Sequence, residues 1–303
     1  MVERIKEFLS SNLNAPKQLS GEQVLDAIAI QQGILVERVE DVYSFSHLTL
    51  QEYLTARYIY AHSQISQMVE KYLTDKRWRE VFLLTSGLMV DRGSDELLLE
   101  MHKTAKHYAR RPKVKALLQW ADQVTAGSSG NLKPATKRAV VIVIASVITR
   151  PRVIDISIIR DITSGIAISL VTDIDIGISF ASDSNINIAI TIAINSVRRL
   201  EKLGVFTELK CFQFTNQLQD LQSAVKGLDI TPIKNIAEQV RSAYLEAFQL
   251  TEELIICNNE ESKALNNYLY SVGLLLKCKK EAARLSPATW DVIESELLLP
   301  PDD

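Results

Sequence analysis

Apolar positions along the chain follow two rhythms, one helical and one strand-like. Ser20-Gly-Glu-Gln23 has the form of a capping box and precedes Val24, Leu25, Ile28 and Ala29 at helical spacing. The pattern predicts a helix from about Gly21 to Gln32 that stops at Gly33. The following run, from Ile34 to Phe45, alternates as two short strands turning at Glu40 and Asp41. Leu50, Tyr53, Leu54 and Tyr58 then recur at helical spacing, which predicts an amphipathic helix from about Leu48 to His62. That spacing assigns Tyr53, Leu54, Tyr58 and, further on, Trp78 to the core.

Helix, hairpin and helix together resemble a winged-helix unit. From Ile65 to Ala126 the pattern stays helical, with Trp78, Val81, Phe82, Leu84 and Leu88 on the apolar face of the second of four helices. Thr125-Ala-Gly-Ser-Ser-Gly-Asn-Leu-Lys-Pro134 reads as a linker, small and polar with Gly and Pro punctuation. Between Ile154 and Ile194, sixteen of the twenty-one even positions are Ile, Leu or Phe, which is a strand period. Read so, the segment breaks into short strands near Thr163 to Gly165, Thr172 to Asp173 and Ser182 to Asn185. Every second even position also makes an i, i+4 helical contact, as in Ile154, Ile158, Ile162, Ile166, Leu170, Ile174 and Ile178. The local pattern favours strand and leaves helix open.

Helical spacing returns after Leu200. Thr231-Pro232 reads as an N-cap with proline at the first helical position, ahead of the stripe Ile233, Ile236, Ala237, Val240, Tyr244 and Phe248. Leu265, Leu269, Val272 and Leu276 mark another helix, and Ser286-Pro287 opens a last one through Trp290, Ile293 and Leu297.

Charge adds a contrast that the pattern lacks. The 303 residues carry a net charge of -3, so no overall field recruits nucleic acid or an anionic membrane. Locally, nine Lys and Arg face the single acid Asp122 between positions 101 and 138, whereas ten basic and sixteen acidic residues follow from Glu201 onward. Opposite signs allow the two stretches to dock. The basic one reads first as a solvated helix face and second as a phosphate-backbone footprint. Cys211, Cys257 and Cys278 are odd in number and widely spaced, which fits buried thiols in a reducing compartment. The longest apolar run, Ala139 to Ile148, is too short for a membrane span, and the charged N-terminus lacks the apolar core of a signal peptide. The expected location is cytoplasmic.

Candidate chemistry is sparse. No two of the eleven glycines stand five apart as in a P-loop, none stand two or four apart as a dinucleotide fingerprint or a nucleophile elbow requires, and none is followed by Lys. His102 and His107 are five apart, on different helix faces, which does not make a paired metal site. The expectation is a chain that is not an enzyme, with no catalytic residue, no metal ligand and no cofactor of its own.

One phrase points to a family. Tyr43-Ser-Phe-Ser-His-Leu-Thr-Leu-Gln-Glu-Tyr-Leu-Thr-Ala-Arg57 resembles the end of the winged-helix region in NACHT-type signal-transduction NTPases of the STAND class, whose phrase is F-x-H-x-T-F-Q-E-Y/F-L-A-A. Phe45, His47, Thr49, Gln51, Glu52, Tyr53, Leu54 and Ala56 match, with Leu50 in place of Phe and Thr55 in place of Ala. Residues 25–37 and 75–84 are similar to the flanking phrases. Asn267 to Pro300 resembles the C-terminal helical domain of bacterial, especially cyanobacterial, NACHT proteins. Those carry a Leu, Ala and Asp alternation, expected to be helical, where this chain has its Ile-rich segment. Ile, Ser and Asn here lower helix propensity.

The resemblance implies a predominantly α fold: a winged-helix module over 1–63, a helical segment over 64–126, a linker over 127–138, an Ile-rich segment over 139–200 and a C-terminal helical domain over 201–303. It also implies a fragment that begins just before the winged helix, with the NACHT core a partner in cis and the parent protein an ATPase using ATP and ADP. His47 is the one site residue it transfers, as a contact to an ADP phosphate that needs that core and holds the closed state. Without the resemblance, His47 reads as a helix-start residue satisfying a nearby backbone group. The implied function is regulatory: a nucleotide-state latch and C-terminal sensing of an unknown ligand or protein trigger, with a homo-oligomer on activation, in signalling or antiphage defence. Two alternatives stand beside it, a nucleic-acid-binding winged helix and a non-catalytic helical scaffold.

Overall fold

The computed structural model describes residues 2–12, 20–40, 42–90, 93–148, 165–180, 186–226, 233–255 and 258–301. Helix dominates them, and their one sheet is a two-stranded antiparallel ribbon. The chain opens with α1 (Val2–Asn12), which the periodicity leaves unassigned, packed on α2 (Gly21–Asp26). The Ser20 capping box forms as the sequence predicts: the Ser20 hydroxyl accepts from the Gln23 amide and the Gln23 side chain from the Ser20 amide. Helix α2 passes into a π turn, Ala27–Gln31, and the chain turns at Gly33, whose φ of 60° favours glycine. Strands β1 (Leu35–Val39) and β2 (Val42–Phe45) form the wing, in a register that pairs Leu35 with Phe45 and Val39 with Val42. Glu40 begins the turn, and Asp41 lies outside the described residues. Helix α3 (Leu48–Ala61) completes the unit and packs on α4 (Ile65–Tyr72) and α5 (Arg79–Leu88).

Helices α6 (Gly93–Ala109) and α7 (Pro112–Thr125) continue the segment read as four helices, with Val81, Phe82, Leu97, Leu98, Met101 and Leu118 buried. The loop over 126–133 is pinned rather than free. The Gly130 amide donates to the Gly204 carbonyl at 2.9 Å, and a Cβ at Gly130 would lie 2.0 Å from the Leu203 carbonyl oxygen. Helix α8 (Pro134–Ile148) is buried on all sides from Lys137 to Ile148, the mark of a core helix. Among the described residues no helix is long and apolar enough to cross a membrane.

The strand reading of the Ile-rich segment is overturned where it is described. Residues 165–180 and 186–203 form helices α9 (Gly165–Phe180) and α10 (Ile186–Leu203), which pack as a hairpin. The break expected at Thr172 and Asp173 lies inside α9. Leu170, Ile174 and Ile178 are buried, four residues apart, against α8, α10 and the later helix α12. This is the helical contact pattern, and it prevails because three neighbouring helices cover one stripe while, among the described residues, no strand stands beside it for pairing. The expected breaks at 163–164 and 182–185 lie outside the described residues, as do Ile154, Ile158 and Ile162.

The C-terminal part holds α11 (Cys211–Lys226), α12 (Ile233–Ala247), the short α13 (Glu252–Ile255), the long α14 (Asn259–Glu281) and α15 (Pro287–Glu296). Ile236, Ala237, Val240, Tyr244 and Phe248 are buried as their spacing predicts, and Tyr244 stacks on Phe248 and meets Phe214 at a tilt of 43°. The cap expected at Thr231 and Pro232 lies outside the described residues. Ser286-Pro287 opens α15 as predicted, with Trp290, Ile293 and Leu297 buried. Helix α14 crosses α5, α6 and α7 and ties the end of the chain to its first half. Of the three cysteines, Cys211 and Cys278 are buried thiols that burial pushes above the ordinary range, and Cys257 lies outside the described residues.

Helix α14 starts with a reciprocal cap. Asn258 Oδ1 accepts from the Glu261 amide and Glu261 Oε2 from the Asn258 amide, both at 2.9 Å. Asn258→Ala is expected to lower stability by about 1 kcal/mol, read as a shift in urea midpoint with unchanged slope.

Candidate functional site

His47 stands in extended conformation at the N-cap of α3, between the wing and the helix. Its carbonyl accepts from the Leu50 and Gln51 amides, while its imidazole makes no cap hydrogen bond and is exposed. The helix start is satisfied by the backbone, leaving the ring presented outward at a positive helix end. That placement fits a group that meets an anion from outside the chain.

The face of α3 beside it is not core. Tyr53 is 37 %, Leu54 42 % and Tyr58 52 % exposed, against the burial that their spacing predicts. The reason lies in which stripe finds a partner. Ala56 and Ile59 turn toward α4 and α5 and are buried, so the helix docks through a narrow edge. Leu48 on α3, Ile30 before the wing, and Val36, Val39 and Val42 on it are exposed as well. Trp78 is half-buried and stacks on Tyr72 at 3.8 Å, in contact with the core rather than within it. Tyr58 stacks on His62, and with Ile59, Gln64, Met68 and Trp78 it lines a groove of about 290 Å³ beside α4.

The basic stretch goes elsewhere. His102 Nε2 lies 3.0 Å from Glu296 Oε2, and Lys106 Nζ donates to the same oxygen. Lys133 Nζ lies 2.8 Å from Glu294 Oε2, Lys137 Nζ 2.7 Å from the Ser128 carbonyl, and Lys113 reaches the Glu253 carbonyl. Arg138, only 6 % exposed, donates to the Leu297 carbonyl at 2.9 and 3.2 Å and to Asp122 Oδ1 at 3.3 Å. Its guanidinium thereby closes the carbonyl end of α15, where a cation is favoured. These bonds hold Glu294 and Glu296 below the usual carboxylate range, whereas burial pushes His102 down. The opposite charges of the two stretches announce this docking in the sequence. The pairs that make it, Glu294 and Glu296 with Lys133, Lys106 and His102, carry no sequence signal of their own.

Residues 5–59 match the winged helix-turn-helix domain C-terminal to NACHT, and residues 208–300 match the NACHT C-terminal helical domain 2. The chain is a NACHT-associated one. No curated protein and no solved structure matches it. The winged-helix match covers α2, the wing and most of α3, hence His47 and the exposed apolar face. The helical domain 2 match covers α11 to α15, hence the acidic helix that docks on the basic stretch. Both are non-catalytic domains, which supports a regulatory role beside a NACHT module.

Proposed function

We propose that the winged-helix domain closes over the NACHT module of the same polypeptide and that His47 is its nucleotide latch. The observation that carries this reading is the apolar face of α3 and the wing, left exposed directly beside an outward imidazole. An amphipathic helix that leaves its tyrosines and leucines in water is completed by a partner surface. The NACHT core in cis is the partner that the family match implies. An imidazole N–H suits a phosphate oxygen of ADP, with the hydrogen bond strengthened by charge. In this reading the parent protein is an ATPase, and the C-terminal helices sense a ligand or protein trigger that favours the open state by its own differential affinity. A homo-oligomer then forms on activation, in bacterial conflict or antiphage signalling.

The test reads the gene upstream of Met1 for a P-loop and measures ADP carried through gel filtration by the full product. Loss of one charge-assisted bond, about 1.5–3 kcal/mol, is expected to speed ADP release by His47→Ala about 10- to 100-fold. Unchanged ADP retention in the variant, or no NACHT module upstream, removes the latch.

A further inference from the structure

Helix α15 is the last helix among the described residues, and one of its carboxylates takes two side chains of α6. Glu296 Oε2 receives both Lys106 Nζ and His102 Nε2, one turn apart on α6. A proton added to His102 is drawn by Glu296 and repelled by Lys106, and burial of the ring opposes it more than either acts. The His102 side chain is only 11 % exposed, and water cannot screen that charge well. The charges acting on it are Lys106 from its own helix and Glu296 from α15. On α14, the adjacent cation Lys279 lies over the Trp290 ring at 3.8 Å from its centroid. On α8, Arg138 holds the Leu297 carbonyl and Asp122 of α7, and Lys133, just ahead of α8, holds Glu294.

We infer that α15 is an acid-released clasp, docked while His102 is neutral and freed from α6 when His102 takes up a proton. Desolvation, the largest effect on His102, lowers its affinity for a proton in the docked state. A depressed imidazole contributes stability that is present above its ordinary value, about pH 6.5, and is lost as the pH falls through the docked value. Glu296 is depressed as well, so its contribution fades separately, at lower pH, in the carboxylate range. Release frees Lys106 and Lys133 and uncovers Trp290, Ile293 and Leu297, which together make an apolar surface rimmed by cations. The clasp goes beyond the latch proposed above and stands on contacts within this chain alone.

Hydrogen exchange followed by mass spectrometry tests it on the whole chain, with residues 265–278 of α14 as internal reference. Between about pH 7.5 and about pH 5.5, protection of residues 288–297 relative to that reference is expected to fall by up to about tenfold per pH unit. His102→Gln keeps an N–H donor for Glu296 without the titration, and is expected to keep α15 protected across that range. A wild-type ratio that does not change with pH overturns the proposal, as does a His102→Gln ratio that falls in parallel with wild type. Neither outcome bears on ADP retention by His47, so the two proposals fail separately.

Discussion

Arg138→Met is expected to lower the stability of the chain by about 3 kcal/mol, the upper range for losing hydrogen bonds made by a charged group. The guanidinium is 6 % exposed and joins three elements: its own helix α8, Asp122 of α7, and the carbonyls of Ser295 and Leu297 at the end of α15. Met fills much of the volume and restores none of the hydrogen bonds, so the buried Leu297 carbonyl loses its donor. Asp122→Asn is expected to cost less, about 1 kcal/mol or below, because the Asn oxygen still accepts from the guanidinium and Arg138 keeps its bonds to the Leu297 carbonyl. Urea unfolding of the two variants reads both. A loss for Arg138→Met no greater than that for Asp122→Asn would place the guanidinium outside the structural core.

The second large effect separates helix from strand in the Ile-rich segment. Ile174 is fully buried and Ile176 half-buried, although both lie on the same side of a two-residue period. On the helix, Ile174→Ala is expected to cost about 2–4 kcal/mol and Ile176→Ala about 1 kcal/mol. Thermal or urea unfolding measures the difference directly. Equal losses would mean that the even positions are equivalent, as in a strand, and would contradict α9.

Much of the fold was legible because its signals are local. The capping box at Ser20, the wing, the stripe of α12 and the Ser286-Pro287 start of α15 each depend on residues a few positions apart, and each forms as the pattern predicts. The family phrase around His47 was legible for the same reason, since a motif of consecutive residues survives without tertiary knowledge. The Ile-rich segment was not, because Ile at every second position satisfies a period of two and, at every fourth, a helical stripe as well.

Burial on α3 was misjudged for a related reason. Spacing tells which side chains share a face and not whether anything covers it; Tyr53, Leu54 and Tyr58 share a face that no element among the described residues covers fully. The charge contrast between 101–138 and the tail similarly announced an attraction without its partners. The sequence by itself determined the helical content, the wing and the phrase carrying His47, all set by short-range geometry. Only the tertiary structure decided that Glu296 meets both Lys106 and His102, that Arg138 is buried rather than offered to phosphate, and that the Ile stripe is helical. The first two depend on surfaces that meet across more than a hundred residues and the third on the helices that flank the stripe, and burial and charge pairing are settled only by that approach.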